Sequence, residues 1–315
     1  MSGTSPIVIA HRGASGYLPE HTLPSVVLAH AQGADYIEQD VVLTKDGIPI
    51  VLHDIRLDAT TNVAAVFPGG QRQDGHYYAI DFSLQEIRQL CAFERIDERG
   101  FAVYPERFRH RGLPFGVPSL ADEIELILEL NRTTGREVGF YIELKAPEWH
   151  QAQGSDITKA LTDILAYYQL HEATELVFIQ CFSPRTLQAF AAKRCALPLI
   201  QLIGDNTWGE ADVDFDQMLT PKGLQSIAQY AQGIGPWIPQ VLNPEATALT
   251  KDAHKLQLAV HPYTVRKDAL AVPVPTIDAL HKALFLDAGV DGVFTDFPDL
   301  TRQFIDQNIN KEFAE

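Results

Sequence analysis

The chain has 315 residues, of which 46% are hydrophobic and 21% charged; this balance excludes a disordered polypeptide and allows one large core or two smaller ones. Its formal net charge of −16 argues against nucleic acid as the main partner, because phosphate backbones select basic surfaces. An acidic protein still binds a small phosphate ester if cations are concentrated in its site. No apolar stretch approaches the ~20 residues that span a bilayer, so no stable membrane insertion is expected. The first strand begins by Ile7, which leaves no room for a signal peptide. The sequence as it stands is therefore expected in the cytoplasm, or in the periplasm if a leader was removed. Cys91, Cys181 and Cys195 are too few and too scattered for a disulfide framework or a thiolate metal site and are read as unpaired thiols. The oligomeric state stays open, with a homodimer among the options.

Taken in chain order, strand-like apolar runs lie at 7–10, 36–43, 138–144, 176–182, 198–203, 233–237, 257–262 and 292–296. Amphipathic helical patterns lie between them, near 22–32, 119–131, 155–169, 183–194, 221–231, 244–255 and 275–288, with a last one from 298. Eight strands, each followed by a helix, predict an α/β fold, the (β/α)8 TIM barrel. A doubly wound open sheet is the competing architecture, since closure is not written in a strand pattern. Ser119 followed by Asp122 marks a helix start. Lys45-Asp46-Gly47 marks a tight turn, so that 48–53 runs back along 36–43 and returns His53 to the neighbourhood of Asp40. The stretch 56–118, rich in Gly, Pro, Arg and Tyr with a helix near 83–91, breaks the rhythm. It is read as a lobe inserted after the second-strand hairpin, within a single domain spanning 1–315, and emerging where barrel enzymes keep their sites.

Glu38 and Asp40 are two apart on a strand and project to one face, with Ile37 and Val41 on the other. Two adjacent carboxylates inside a barrel repel unless a cation lies between them or one is protonated. A hard divalent cation answers that problem, and Ca²⁺ and Mg²⁺ both suit oxygen ligands. Glu143 and Lys145 repeat the device on a later strand, adding a third carboxylate and a cation. His11 ends the first strand beside Arg12, and His53 ends the hairpin strand beside Asp54. Two imidazoles near a metal site can divide acid and base work. Arg12 offers a planar fork for a phosphate oxygen and Lys145 a point charge. Gln180, Phe182 and Trp237, at or just past strand ends, are candidates for the pocket lining. His261 is read as structural rather than catalytic. Asp296, before Pro298, is read as a helix cap.

His11-Arg-Gly-Ala, Glu38-Gln-Asp40, Lys45-Asp-Gly, His53-Asp54, Glu143-Leu-Lys145 and Phe294-Thr-Asp296 together resemble the glycerophosphodiester phosphodiesterases. The similarity extends through Pro19-Glu-His-Thr22, Tyr77-Tyr-Ala-Ile-Asp81, Gln201-Leu-Ile203 and Val260-His-Pro-Tyr-Thr-Val265, nearly the whole chain. The set is most similar to the calcium-dependent subgroup usually found in the bacterial periplasm. What the resemblance implies is a TIM barrel with a family-specific insertion that hydrolyses small-molecule glycerophosphodiesters to sn-glycerol 3-phosphate and an alcohol. By motif position Glu38, Asp40 and Glu143 would hold the metal, with Ca²⁺ favoured over Mg²⁺, and His11 and His53 would be the acid–base pair. Arg12, Lys145, Gln180 and Trp237 are the expected substrate-binding residues. Glu20-His-Thr22 departs from the Glu-Asn-Thr of many members and leaves His21 without an assigned role. With no activated Ser or Cys among these residues, attack by the substrate's own glycerol hydroxyl, through a cyclic phosphate, is the expected route. Two rivals are a phospholipase C- or D-like barrel acting on intact lipids and a non-catalytic phosphodiester-binding protein.

Overall fold

The computed structural model describes residues 5–242 and 249–310. Eight parallel strands form the barrel: β1 (Ile7–Ala10), β2 (Tyr36–Leu43), β4 (Gly139–Leu144), β5 (Val177–Cys181), β6 (Leu199–Ile203), β7 (Gly233–Pro236), β8 (Ala259–Val260) and β9 (Gly292–Thr295). They follow the order β8-β7-β6-β5-β4-β2-β1-β9, with β3 (Pro49–Val51) pairing antiparallel to β2. The ring closes between β8 and β9 without a regular ladder. Asp291 N donates to Val260 O at 3.1 Å, Phe294 N to Pro262 O at 3.0 Å and Asp296 N to Val265 O at 3.1 Å. These bonds decide against the open sheet, whose terminal strands would be unpaired edges.

Two-residue alternation sorts the strands into an outer and an inner set. Val8, Ala10, Ile37, Val41, Phe140, Ile142, Ile179, Ile234 and Val293 pack outward in the cluster that includes the helices. Ile9, Tyr141, Ile200 and Phe294 fill the barrel interior, with Ile7, Tyr36 and Phe178 against them. Tyr141 stacks on Phe178 at 4.9 Å and meets Phe294 edge-on at 4.9 Å, the offset and edge geometries that ring quadrupoles prefer. This aromatic layer is the floor on which the polar residues one step further along each strand stand.

Helices follow the strands: Leu23–Ala31, Leu120–Thr134, Ile157–Tyr167, Pro184–Ala192, Pro221–Ile227, Leu249–Lys255, Ile277–Lys282 and Pro298–Asn308. Ser119 and Asp122 exchange backbone bonds in a capping box at the start of Leu120–Thr134. Of the helix expected at 244–255, residues 244–248 lie outside the described residues. The pattern at 275–288 is α-helical only to Lys282 and continues as a π-helix over Ala283–Ala288. β8 is shorter than its apolar run because Gln257 takes φ 60 and Pro262 has no N–H to donate. The short helices Pro147–Ala152 and Phe215–Met218 carry too few turns to show a period in sequence. Among the described residues no helix is long and apolar enough to cross a membrane.

The hairpin turn closes with Gly47 N donating to Thr44 O at 3.0 Å, Gly47 sitting at φ 74. Leu52 N then donates to Asp40 O at 2.8 Å, which brings His53 beside the β2 carboxylates. From the hairpin onward a second cluster of buried residues forms. Val42, Ile50, Leu57, Val63, Tyr77, Phe82, Ile87 and Val117 join β2 and β3 to the 56–118 segment. Within it the expected helix near 83–91 is regular only over Leu84–Ile87.

Candidate active site

At the C-terminal ends of the strands the inward positions change from aromatic to polar. Glu38 and Asp40 (β2), Glu143 (β4) and Gln180 (β5) stand above Tyr141 and Phe178, and the register pairs Asp40 with Glu143 and Glu143 with Gln180. Each of the three carboxylates offers an oxygen, and those atoms lie within 4.8 Å of one another. All three are buried. Asp40 is ionised: burial alone would raise its pKa, but His21, whose Nε2 is 2.7 Å from Asp40 Oδ2, and Lys145 hold it well below the usual range. Burial and the charge of Asp40 push Glu38 well above the usual range. Burial and Asp40 likewise carry Glu143 up to about 8, against the opposing pull of Lys145.

The donor set fits a hard divalent cation. Asp40 Oδ1 and Gln180 Oε1 are buried without a hydrogen-bond partner among the described residues, the ligands are all oxygen, and the raised carboxyls are a cluster short of positive charge. Gln180 also donates from Nε2 to Glu38 Oε1 at 2.9 Å, which fixes that carboxylate from the side.

The two imidazoles are built alike. His11 Nδ1 lies 2.6 Å from Asp296 Oδ1 and His53 Nδ1 lies 2.6 Å from Asp54 Oδ1. A carboxylate only accepts when ionised, so each Nδ1 carries the hydrogen and each Nε2 is left for chemistry. Burial and the cation Arg12 lower the pKa of His11 to about 4. Burial, Arg12 and Lys145 lower that of His53 to about 3. Both rings are therefore neutral near pH 7 in the metal-free protein. Asp54 and Asp296 resist the upward push of burial because each is bonded to a ring and to arginine.

Arginines tie these parts together. Arg95 donates to Glu20 Oε1 and to Asp54 Oδ2, both at 2.6 Å, and Arg12 donates to Glu20 Oε1 at 3.1 Å. Arg107 donates to Asp296 Oδ2 at 2.6 Å and to Asp268 Oδ2 at 2.7 Å, and Arg266 donates to Asp296 Oδ2 at 2.8 Å. Arg12 sits in the left-handed region at φ 58 and Gly13 follows at φ 81. That turn aims the Arg12 N–H at Glu38 Oε2, 3.1 Å away. A Cβ on Gly13 would fall 2.5 Å from Ser25 Oγ, so the turn needs glycine. Lys145 Nζ bonds Glu143 Oε1 at 2.7 Å and lies 3.5 Å from His53 Nε2.

One cavity of about 260 Å³ collects His11, Arg12, Glu38, Asp40, His53, Glu143, Lys145, Gln180, Phe182 and Trp237, every residue singled out for the site and its lining from sequence. His261 lies apart from it, buried with its Nδ1 2.9 Å from the Tyr141 hydroxyl. The assignment of Asp296 as a helix cap is overturned. Phe297 occupies the cap of Pro298–Asn308 with no side-chain bond, while Asp296 points inward to His11, Arg107 and Arg266. Its place at the end of β9 was the missed signal, since polar residues there face the barrel mouth. Arg95 and Arg107 had no such signal, because they lie in the aperiodic segment. Trp208 and Glu210, which also line the cavity, follow β6 in a loop without pattern.

The sequence profile of the glycerophosphoryl diester phosphodiesterase family matches residues 11–300. The chain belongs to that family. Glycerophosphodiester phosphodiesterases are also its relatives over most of its length. That of Haemophilus influenzae is 40% identical over 95% of this chain and 89% of its own, and that of Treponema pallidum 36% identical over 95% and 91%. The chain is thus an enzyme, with glycerophosphodiester phosphodiesterase activity. Solved structures share the barrel. One from Silicibacter pomeroyi has a TM-score of 0.73 at 24% identity, covering 97% of this chain and 94% of that one. A phosphodiesterase from Oleispira antarctica, solved with the product sn-glycerol-3-phosphate, has a TM-score of 0.66 at 22% identity, covering 96% and 97%.

Proposed function

We propose that the enzyme is metal-dependent and hydrolyses small-molecule glycerophosphodiesters to sn-glycerol 3-phosphate, with His11 and His53 as the acid–base pair and a cyclic phosphate as intermediate. The observation that carries this reading is the pairing of two carboxylate-oriented imidazoles with a three-carboxylate cluster in one cavity. The sn-glycerol-3-phosphate held by the Oleispira antarctica protein supports that choice of product. A non-catalytic binding protein would have no use for two His–Asp pairs, one buried and one half-buried, facing the same cavity.

Glu38, Asp40 and Glu143 would hold the cation, with the Gln180 carbonyl oxygen beside them. Ca²⁺ suits such a crowded set of carboxylates better than Mg²⁺, which demands near-ideal octahedral geometry and keeps its waters. When bound, the cation supplies positive charge against the negative charge that builds on the phosphoryl oxygens. Arg12 and Lys145 add fixed charge on the same oxygens. One imidazole Nε2 removes the proton of the glycerol hydroxyl next to the phosphodiester, and that oxygen attacks phosphorus. The other imidazole, neutral in the empty site and protonated as the anionic phosphodiester binds beside its Nε2, gives that proton to the departing alcohol. The rings then exchange roles as water opens the cyclic ester. Asp54 and Asp296 hold each ring in the tautomer the exchange requires. The 56–118 segment acts as one wall of the site, since its Arg95 and Arg107 reach Asp54 and Asp296.

An intramolecular hydroxyl has a proximity advantage worth up to about 7–11 kcal/mol in favourable cases. An analogue lacking the 2-hydroxyl should therefore bind with similar affinity and turn over at least ~100-fold more slowly, a loss of ~2.7 kcal/mol in transition-state stabilisation. Near-normal turnover of that analogue would mean direct attack by water and would remove the cyclic intermediate.

A further inference from the structure

The cavity has two unlike halves. The imidazoles, the three clustered carboxylates, Arg12 and Lys145 come from the ends of β1 to β4, with Gln180 from β5 and Arg266 from beyond β8, whereas Phe182, Trp208, Trp237 and Tyr263 come from the ends of β5 to β8 and the loops beyond. Trp208 and Trp237 meet at 67° with centroids 5.2 Å apart, and Trp208 meets Tyr263 at 54° and 6.5 Å. Rings so inclined form a corner rather than a stack. The corner is held from behind. Trp237 N donates to Gln240 Oε1 at 2.9 Å and Tyr263 Oη to Ile203 O at 2.9 Å. Trp208 lies over Gly204, where a Cβ would come within 3.1 Å of Trp208 Cε3. Glu210 lines the same cavity and makes no hydrogen bond or ion pair among the described residues, unlike the carboxylates of the catalytic half.

Under the proposed function the catalytic half takes the phosphate and the glycerol hydroxyl, which leaves the aromatic half to the alcohol that departs. A polyol or sugar there would need several hydrogen-bond partners, which the rings do not offer. A primary ammonium would need three acceptors, and Glu210 is one. A quaternary ammonium needs none: it is attracted by ring faces and balanced by one carboxylate. Net charge points the same way. At −16 the protein repels an anionic ester, while a zwitterionic one carries no net charge to repel.

We infer that Trp208, Trp237, Tyr263 and Glu210 form a head-group subsite selective for esters whose leaving alcohol bears a quaternary ammonium, choline being the simplest. The inference rests on the catalytic half being assigned as proposed above. The test measures kcat/KM by glycerol 3-phosphate release from glycerophosphocholine and glycerophosphoglycerol, in the wild-type enzyme, Trp208→Leu and Glu210→Gln. Each substitution should lower the choline-to-glycerol ratio of kcat/KM about tenfold. Choline should also compete at least ~10-fold more tightly than its neutral isostere with carbon in place of nitrogen. An unchanged ratio in both variants, or equal inhibition by the two compounds, overturns the subsite and leaves the phosphodiesterase reading intact. Failure of the wild-type enzyme to release glycerol 3-phosphate from either ester overturns that underlying reading, and the subsite with it.

Discussion

His11 and His53 show how a residue's role is set by what holds it. Each lies at a strand end that the apolar runs of the sequence already mark, and each ring is oriented by a carboxylate, Asp296 or Asp54, at 2.6 Å. The sequence showed Asp54 next to His53 but gave it no role as a partner. Asp296 was not legible as one either, because it is 285 residues from His11 and sits before a proline, where helix caps are common. Likewise, spacing put Glu38 and Asp40 on one face, but nothing in sequence assigned His21, which is buried against Asp40 Oδ2 at 2.7 Å. If the rings act as a pair, His11→Ala and His53→Ala should each lower kcat ~10²–10⁴-fold. The double variant should lose far less than the product of the two, since paired groups act as a unit. Steady-state kinetics on variants with native circular dichroism checks this, and a mild loss from either single change would make that histidine structural.

At the scale of the element, apolar runs alternating with helical patterns were enough to locate all eight barrel strands, because strands buried on both faces are apolar nearly throughout. Closure was not legible: it depends on bonds such as Val265 N to Phe294 O at 2.8 Å, formed outside regular strand. The 56–118 segment was legible only as a break in rhythm. Its cluster around Leu57, Tyr77 and Phe82 has no single period, and its arginines work at long range. The narrow end of the barrel adds a constraint of its own. Gly139 begins β4, and a Cβ there would lie 2.4 Å from Tyr36 Cε1 and 2.7 Å from Leu176 O. The backbone carbonyl cannot rotate away, so Gly139→Ala should destabilise the enzyme by about 1–3 kcal/mol, the usual cost of overpacking. Denaturant unfolding measures it, and unchanged stability would show that the floor of the barrel is looser than its contacts imply.

For the whole molecule, the net charge of −16 contrasts with a site crowded by Arg12, Arg95, Arg107, Lys145 and Arg266. Recognition of phosphate is therefore local, and long-range attraction has no part in it. The fold also buries histidines remote from the catalytic half. His150 is fully buried, its ring nitrogens have no partner among the described residues, and burial lowers its pKa to about 4. The unfolded chain, with a histidine pKa near 6.5, binds a proton across this window that the folded chain refuses. Stability from this residue is therefore present above about pH 6.5 and lost as pH falls toward 4, amounting to about 2 kcal/mol between about pH 7.5 and pH 5. His150→Leu should flatten the pH dependence of unfolding free energy by that amount; an unaltered slope would mean the ring is protonated in the fold. The account as a whole turns on the cluster of Glu38, Asp40 and Glu143 at the mouth of the barrel. Its most direct test is release of glycerol 3-phosphate from a soluble glycerophosphodiester, followed through chelation and stepwise return of metal. Chelated enzyme should be inactive and Ca²⁺ should restore it more fully than Mg²⁺, whereas full activity in protein shown metal-free by elemental analysis would contradict the account.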